Sequence, residues 1–214
     1  MTNPPSEIDT ALAPKQGKRE QTKANNRRAI VEAGRIVFAQ LGYGETTVRD
    51  IIRETGLASG TFYNYFKSKE EVFQAIMDEN ALQVRPRLRD ERAKASNFEE
   101  WVRSMFFVFF DYVANDQRNF AILRRNSGAL RVRMDTPEII AGFDELRIDL
   151  EKAVTAGIAP NVDVDYLSAA MIGIAFEMSD HLIMRNPPNV DEATDFATTL
   201  LLNGLAAMDR PKKA

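Results

Sequence analysis

An all-α fold in two units is predicted for this 214-residue chain: a small N-terminal three-helix domain containing a helix-turn-helix, followed by a larger helical domain. Three observations carry the prediction. Two short helical patterns flank Gly56 between Thr46 and Lys69, the outline of a helix-turn-helix. Beyond residue 96 there is no strand pattern and no repeat, only helical periods separated by short polar turns. The charge also divides: residues 15–71 hold 11 Lys and Arg against 7 Asp and Glu, whereas 72–214 hold 17 against 22.

Residues 1–14 contain three prolines and little apolar periodicity, and are expected to be disordered. Lys15, Lys18, Arg19, Lys23, Arg27 and Arg28 form a basic approach segment, so 1–21 is assigned as a basic leader. It either reaches along a DNA backbone or minor groove, or is a solvated charged arm. The helical period begins near Thr22, with Ile30, Val37, Phe38 and Leu41 on one face, and Gly42-Tyr43-Gly44 stops it. Thr47 with Asp50 three residues on is a capping signature, after which Val48, Ile51 and Ile52 face inward. Gly56 takes the left-handed conformation that ends this helix. Leu57 and Phe62 bury the next one.

Ser68-Lys69-Glu70-Glu71 reads as a capping box opening a further helix, whose Val72, Phe73, Ile76 and Met77 dock on the first. That helix runs past Leu82 and is expected to kink at Pro86, joining a first domain at 22–82 to a second at 83–214. Later helices are expected over 97–115, about 116–126, 136–157 with Pro137 at its first position, 163–185 ended by Asn186-Pro187-Pro188, and 191–208.

Burying Leu57 and Phe62 leaves Ser59, Gly60, Thr61, Tyr63, Asn64 and Tyr65 over the rest of the short second helix, with no carboxylate among them. Hydroxyls and amides can meet base edges or phosphates, and tyrosine joins ring packing to a hydrogen-bonding oxygen. Spacing alone leaves a second reading open, a polar helical corner turned to solvent. The amides that start the next helix, with Lys69, are placed to face a phosphate.

These residues carry a resemblance. Gly56-Leu57, Gly60-Thr61-Phe62-Tyr63-Asn64-Tyr65-Phe66 and Lys67-Ser68-Lys69-Glu70-Glu71-Val72 resemble the signature of the TetR family of transcriptional regulators. Phe38-Ala39-Gln40-Leu41-Gly42-Tyr43 with Thr46-Thr47-Val48 resembles its upstream half, and the likeness spans about residues 23–80. It implies that Arg49, Ser59, Gly60, Thr61, Asn64 and Tyr65 face bases or the groove floor and that Thr47, Tyr63 and Lys69 hold phosphates. One position departs from the family pattern. A serine usually follows the Gly-Leu of the turn and caps the recognition helix, and here Ala58 stands there, with Ser59 as the candidate substitute cap.

Composition excludes several other classes. There is no cysteine, hence no disulfide framework and no thiolate metal site, and one histidine rules out a histidine-rich metal site. Nothing in the sequence calls for a metal or other cofactor. No run approaches the roughly 20 apolar residues of a membrane span, and no signal peptide is visible, so a soluble, cytoplasmic protein away from membranes is expected.

The helix over 97–115 carries Trp101, Met105, Phe106, Phe107, Val108, Phe109, Phe110 and Tyr112, apolar nearly all round. It is either a packed core helix or one that also faces an apolar cavity. Phe106, Phe110, Phe143, Met171 and Met178 are the candidate walls of a small-molecule site. Arg124 and Arg125 are either solvated or partners for an acidic head, and the effector expected is largely hydrophobic, an acyl or aromatic acid.

Leu167, Ala170, Met171, Ile174, Met178 and Leu182 form a stripe, with Ala169, Ala170 and Gly173 permitting close helix approach; Phe196, Leu200, Leu201, Asn203, Gly204 and Ala207 repeat it on the last helix. Intrachain packing and dimerisation fit these stripes equally. The resemblance implies dimerisation through the two C-terminal helices and a palindromic operator read in successive major grooves of double-stranded DNA. His181 is expected to be a structural hydrogen-bonding residue rather than a ligand contact or pH switch.

The function expected is thus that of a homodimeric, ligand-responsive repressor rather than an enzyme. Two alternatives stay open at this point: an all-α enzyme or carrier whose helix-turn-helix only packs, and a regulator controlled by a protein partner instead of a small molecule.

Overall fold

The computed structural model describes residues 17–117 and 136–208, together with Asn119 and Ile122. Among these residues every regular element is a helix: α1 (Lys18–Leu41), α2 (Val48–Thr55), α3 (Ser59–Tyr63), α4 (Lys69–Lys94), α5 (Phe98–Asn115), α6 (Pro137–Thr155), α7 (Val164–Ile183) and α8 (Val190–Met208). The expectations for the chain start up to residue 16, for most of the helix over 116–126, and for Arg124 and Arg125 lie outside the described residues.

Helix α1 starts at Lys18, four positions upstream of the expected Thr22. Its inner face is Ile30, Val31, Gly34, Val37 and Phe38; Leu41, expected inside, is largely exposed at the last turn. Gly34 sets the crossing with α4, because a Cβ there would lie 2.6 Å from Val72 Cγ1 and 3.3 Å from Ile76 Cδ1. Around that crossing Phe73 meets Phe38 edge-on at 5.2 Å and Tyr43 at 5.1 Å between ring centroids. Such pairs add about 0.5–1.5 kcal/mol each beyond burial.

The turn chemistry follows local rules with two changes. Thr47 and Asp50 form a reciprocal capping box at α2, and Gly56 closes that helix at φ 66°. At α4, Ser68 accepts the Glu71 N–H, but the Glu71 carboxylate takes the N–H of Lys67 at 2.7 Å rather than that of the cap residue. Helix α4 then runs unbroken through Pro86. Pro86 and Leu82, whose carbonyl loses its intrahelical donor, both lie on the exposed side, where water replaces the bond.

Two cores are threaded by α4. The first joins α1, α2, α3 and the start of α4 through Ile30, Phe38, Ile51, Phe62, Phe66, Phe73 and Ile76, with Ile122 and Ile139 reaching in from the later chain. The second gathers α5, α7 and α8, with Leu150 of α6, around Val102, Phe106, Phe110, Leu167, Met171, Ala197 and Leu201. The nearly all-apolar α5 contacts α4, α7 and α8, which is why it needs so little polar surface.

Candidate nucleic-acid interface and apolar cavity

The residues of α3 divide by exposure. Phe62 is buried, whereas Ser59, Gly60, Tyr63 and Asn64 are exposed and Thr61 is half-buried. Tyr63 stands 59% exposed, its ring braced edge-on against Phe62 at 5.4 Å. A braced ring holds its hydroxyl outward with less freedom to lose on binding. Ala58 occupies the N-cap and provides no side-chain bond; Ser59 sits at the first helical position and does not replace it. No side chain caps the amides of Ser59 and Gly60 at this helix start, and the Ser59 hydroxyl is not spent on capping. Arg49 of α2 is exposed on the same domain.

Three of the predicted DNA-contact residues are otherwise engaged. Lys69 Nζ donates to the carbonyls of Tyr43, Gly44 and Thr46 at 2.7, 3.1 and 2.8 Å, and lies 4.7 Å from the centre of the Tyr43 ring. An ammonium has three protons, so none is left for a phosphate. Lys69 is a staple holding the turn between α1 and α2. Tyr65 is half-buried against the first core and its oxygen accepts from Asn26 Nδ2 at 3.4 Å, so its ring is part of the scaffold. The Thr47 hydroxyl donates to Asp50 at 2.6 Å, which, with the Thr47 amide, holds the exposed Asp50 carboxyl below its usual range.

A cavity of about 180 Å³ lies between α4, α5, α6 and α7. Of the candidate walls, Phe106, Phe143 and Met171 line it, joined by Met77, Val84, Phe109, Ile172 and Phe176 among others. Phe110 and Met178 do not. Phe110 is fully buried and stacked on Phe106 with centroids 5.9 Å apart, and Met178 packs against the second core. Polar residues that sequence reasoning missed also line the cavity: Asn80, Arg85, Arg92, Tyr112, Glu138 and Glu145. Asn80 had a visible signal, a polar residue at helical spacing from Ile76 and Met77 on a buried face.

At one side of this cavity arginines of α4 are clamped to α6. Arg85 pairs with Glu138 and, at 2.6 Å, with Glu145; Arg89 also reaches Glu145; Arg92 reaches Glu145 at 3.1 Å and Asp149 at 3.0 Å. The Arg89 hydrogen bond, followed by those of Arg85 and Arg92, holds the Glu145 carboxyl down at about 2 against partial burial. At the opposite side Arg35 of α1, itself buried, donates to Asn80 Oδ1 at 2.8 Å and to Asn119, and pairs with Glu79 at 3.0 Å. The cavity is thus tied to α1 by a hydrogen bond through Asn80, beside Met77 and Ile139, which both line it and pack in the first core.

Helices α7 and α8 keep Leu167, Met171, Leu182, Ala197 and Leu201 inside. Their outward face carries Tyr166, Ala169, Ala170, Gly173 and Met184, with Phe196, Leu200, Gly204 and Ala207 beside them. His181 is exposed on α7 and makes no hydrogen bond among the described residues, against the structural role expected of it. No group of metal-ligating side chains occurs among the described residues, and no helix there is long and apolar enough to cross a membrane.

Residues 30–76 match the model of the bacterial regulatory proteins of the tetR family. In fold, the chain resembles the fatty acid degradation regulator FadR from Bacillus halodurans, with a TM-score of 0.71, 22% identity, and 90% of this chain and 98% of that one covered. It also resembles FadR from Bacillus subtilis solved in complex with stearoyl-CoA, with a TM-score of 0.68, 22% identity and coverage of 83% and 98%. A tetR-family regulatory protein from Rhodococcus RHA1 gives 0.67, 20% identity and coverage of 84% and 96%. At such identities the structures establish the fold, and the match over 30–76 establishes the domain that reads DNA in this family. Residues 30–76 therefore carry the domain of the bacterial regulatory proteins of the tetR family, within a fold shared with those solved structures.

Proposed function

We propose that this protein is a cytoplasmic, homodimeric repressor that grips a palindromic operator with α3 of each protomer and lets go when a largely hydrophobic small molecule enters the cavity between α4 and α7. The observation that carries this reading is the course of α4. Its first residue staples the turn beside the reading domain, and its later turns, from Met77 to Arg92, form a wall of the cavity. Anything that shifts that wall shifts the reading domain with it. In this division residues 22–82 read DNA and 83–214 hold the effector and the partner protomer.

Tyr63, Asn64, Ser59, Gly60 and Thr61 supply the outward surface, and Arg49 adds charge. The apolar face of α7 and α8 is the dimer seam, and a two-fold pair presents two α3 helices to successive major grooves. The bound stearoyl-CoA of the Bacillus subtilis relative supports an effector with an acyl or comparably apolar body. At about 180 Å³ the cavity is below the usual 300–1,000 Å³ of ligand sites, so a long chain would require α4 and α6 to part. For release to be nearly complete the ligand must prefer the parted conformation by about 5 kcal/mol.

Selection of bound sequences from random duplex DNA, followed by footprinting, tests the reading. Two symmetric half-sites one helical turn apart are expected. Tyr63→Phe should weaken all operators alike, by about five-fold for each of the two phosphate hydrogen bonds lost by the dimer. A change in discrimination between operators would instead put Tyr63 on a base.

A further inference from the structure

Three side chains in the cavity wall carry a buried hydrogen-bonding atom with no partner at full hydrogen-bonding geometry: Asn80 Nδ2, Tyr112 Oη and Arg85 Nε. Buried polar atoms are ordinarily paired, and three orphans on one small void are not explained by packing. The orientation of Asn80 is dictated by its neighbour. Arg35 can only donate, so the amide oxygen must face it at 2.8 Å and the NH₂ is the group left without a partner. Asn80 is 5% exposed, which closes the route to solvent. The other nitrogens of Arg85 are held by Glu138 and Glu145, leaving Nε alone. Burial first, and the Asp116 charge second, push the Tyr112 phenol up to about 12 against weaker opposition from Arg35 and Asn119, so it keeps its proton.

We infer that the cavity receives the apolar body of a one-ring-sized molecule and that Asn80 and Tyr112 donate to a carbonyl-type oxygen at its end. The available nitrogens can only donate, so the occupant must bring the acceptor. The volume, about 180 Å³, is close to the 150 Å³ of a protein cavity known to hold benzene, which sets the body at roughly one ring. The inference rests on reading the cavity as the effector site and adds its chemistry. It also gives occupancy a second route to the DNA-reading domain: the ligand's oxygen engages the same amide that Arg35 of α1 holds.

Calorimetric titration of the full chain with toluene, acetophenone and benzoate, in the absence of DNA, tests this. All three have similar bodies, and only the last two bring an acceptor. Acetophenone or benzoate should bind at least ten-fold more tightly than toluene, and whichever leads shows whether the oxygen is a neutral carbonyl or a carboxylate. Tyr112→Phe should erase about ten-fold of that advantage, leave toluene unchanged, and leave the melting temperature of the empty protein equal or higher, since it removes an unpaired hydroxyl. Asn80→Asp keeps an acceptor for Arg35 while removing the donor, and should likewise lose the oxygen preference. Equal binding of toluene and its oxygenated partners, no binding of any, or an unaltered preference in both variants would overturn the proposal. A gel shift on the same preparations separates the two readings: operator binding without an oxygen preference sinks this inference alone, and the reverse sinks the repressor alone.

Discussion

The two ends of α4 differ in how completely they are satisfied. At its start, Lys69 fills all three of its donors with carbonyls, Gly34 of α1 lets Val72 and Ile76 approach closely, and Phe38, Tyr43 and Phe73 interlock. Some turns later the same helix borders a void and carries two of its three unpaired polar atoms, on Asn80 and Arg85. The contrast teaches how one helix serves two tasks. A reading head must keep its geometry to within an ångström, whereas a receiving site must have low-cost alternatives, and these are drawn from the less stable parts of a fold.

The sharpest way to break the contrast is to truncate an aromatic at each end. Phe73→Ala, in the full core, should lower stability by about 3–5 kcal/mol, and Phe143→Ala, on a wall that already faces a void, by only about 1–2 kcal/mol in urea denaturation. Equal losses would mean that both ends are packed alike. Next in size is Gly173→Arg on the outward face of α7. Beyond its chain neighbours and the backbone of its own helix, nothing lies within 4 Å of where its Cβ would be, so the protomer should fold unchanged, while sedimentation shows a monomer and operator affinity falls about 100-fold.

Lys69→Met tests the staple and should cost about 2 kcal/mol of stability, with weaker DNA binding but an unaltered dependence on salt. A salt slope smaller by about one would instead return Lys69 to a phosphate. The smallest effect is at the clamp. Glu145 ionises in the fold at about 2 instead of 4.5, so its stabilisation is present above pH 4.5 and fades as pH falls toward 2. After allowance for solvent screening this amounts to about 1 kcal/mol. Urea midpoints at pH 6 and pH 3 should therefore drop less for Glu145→Gln than for the wild type.

Much of the first domain was legible because its signals are local. Thr47 and Asp50 cap within four residues, Gly56 supplies a positive φ, and the inward set Val72, Phe73, Ile76 and Met77 repeats at helical spacing. The differences from expectation there arose where a side chain reaches across the chain. Lys69 meets carbonyls 23–26 positions away, and Tyr65 meets Asn26, 39 positions away. Spacing cannot say whether a long polar side chain turns outward to a phosphate or back to its own turn. In the second domain α5 announced burial but not against what: Phe106 faces the void and Phe110, four residues on, does not.

By itself, then, the amino-acid order determined the helices, the turn that joins α2 to α3 and the carboxylate-free surface of α3, because capping, glycine geometry and apolar period act within a few residues. Only the tertiary structure decided which atoms are left unpaired around the cavity, which face of α7 and α8 stays outside, and that α1 and the cavity share Asn80. Those outcomes depend on how distant helices fill space against one another, and no local period encodes a void.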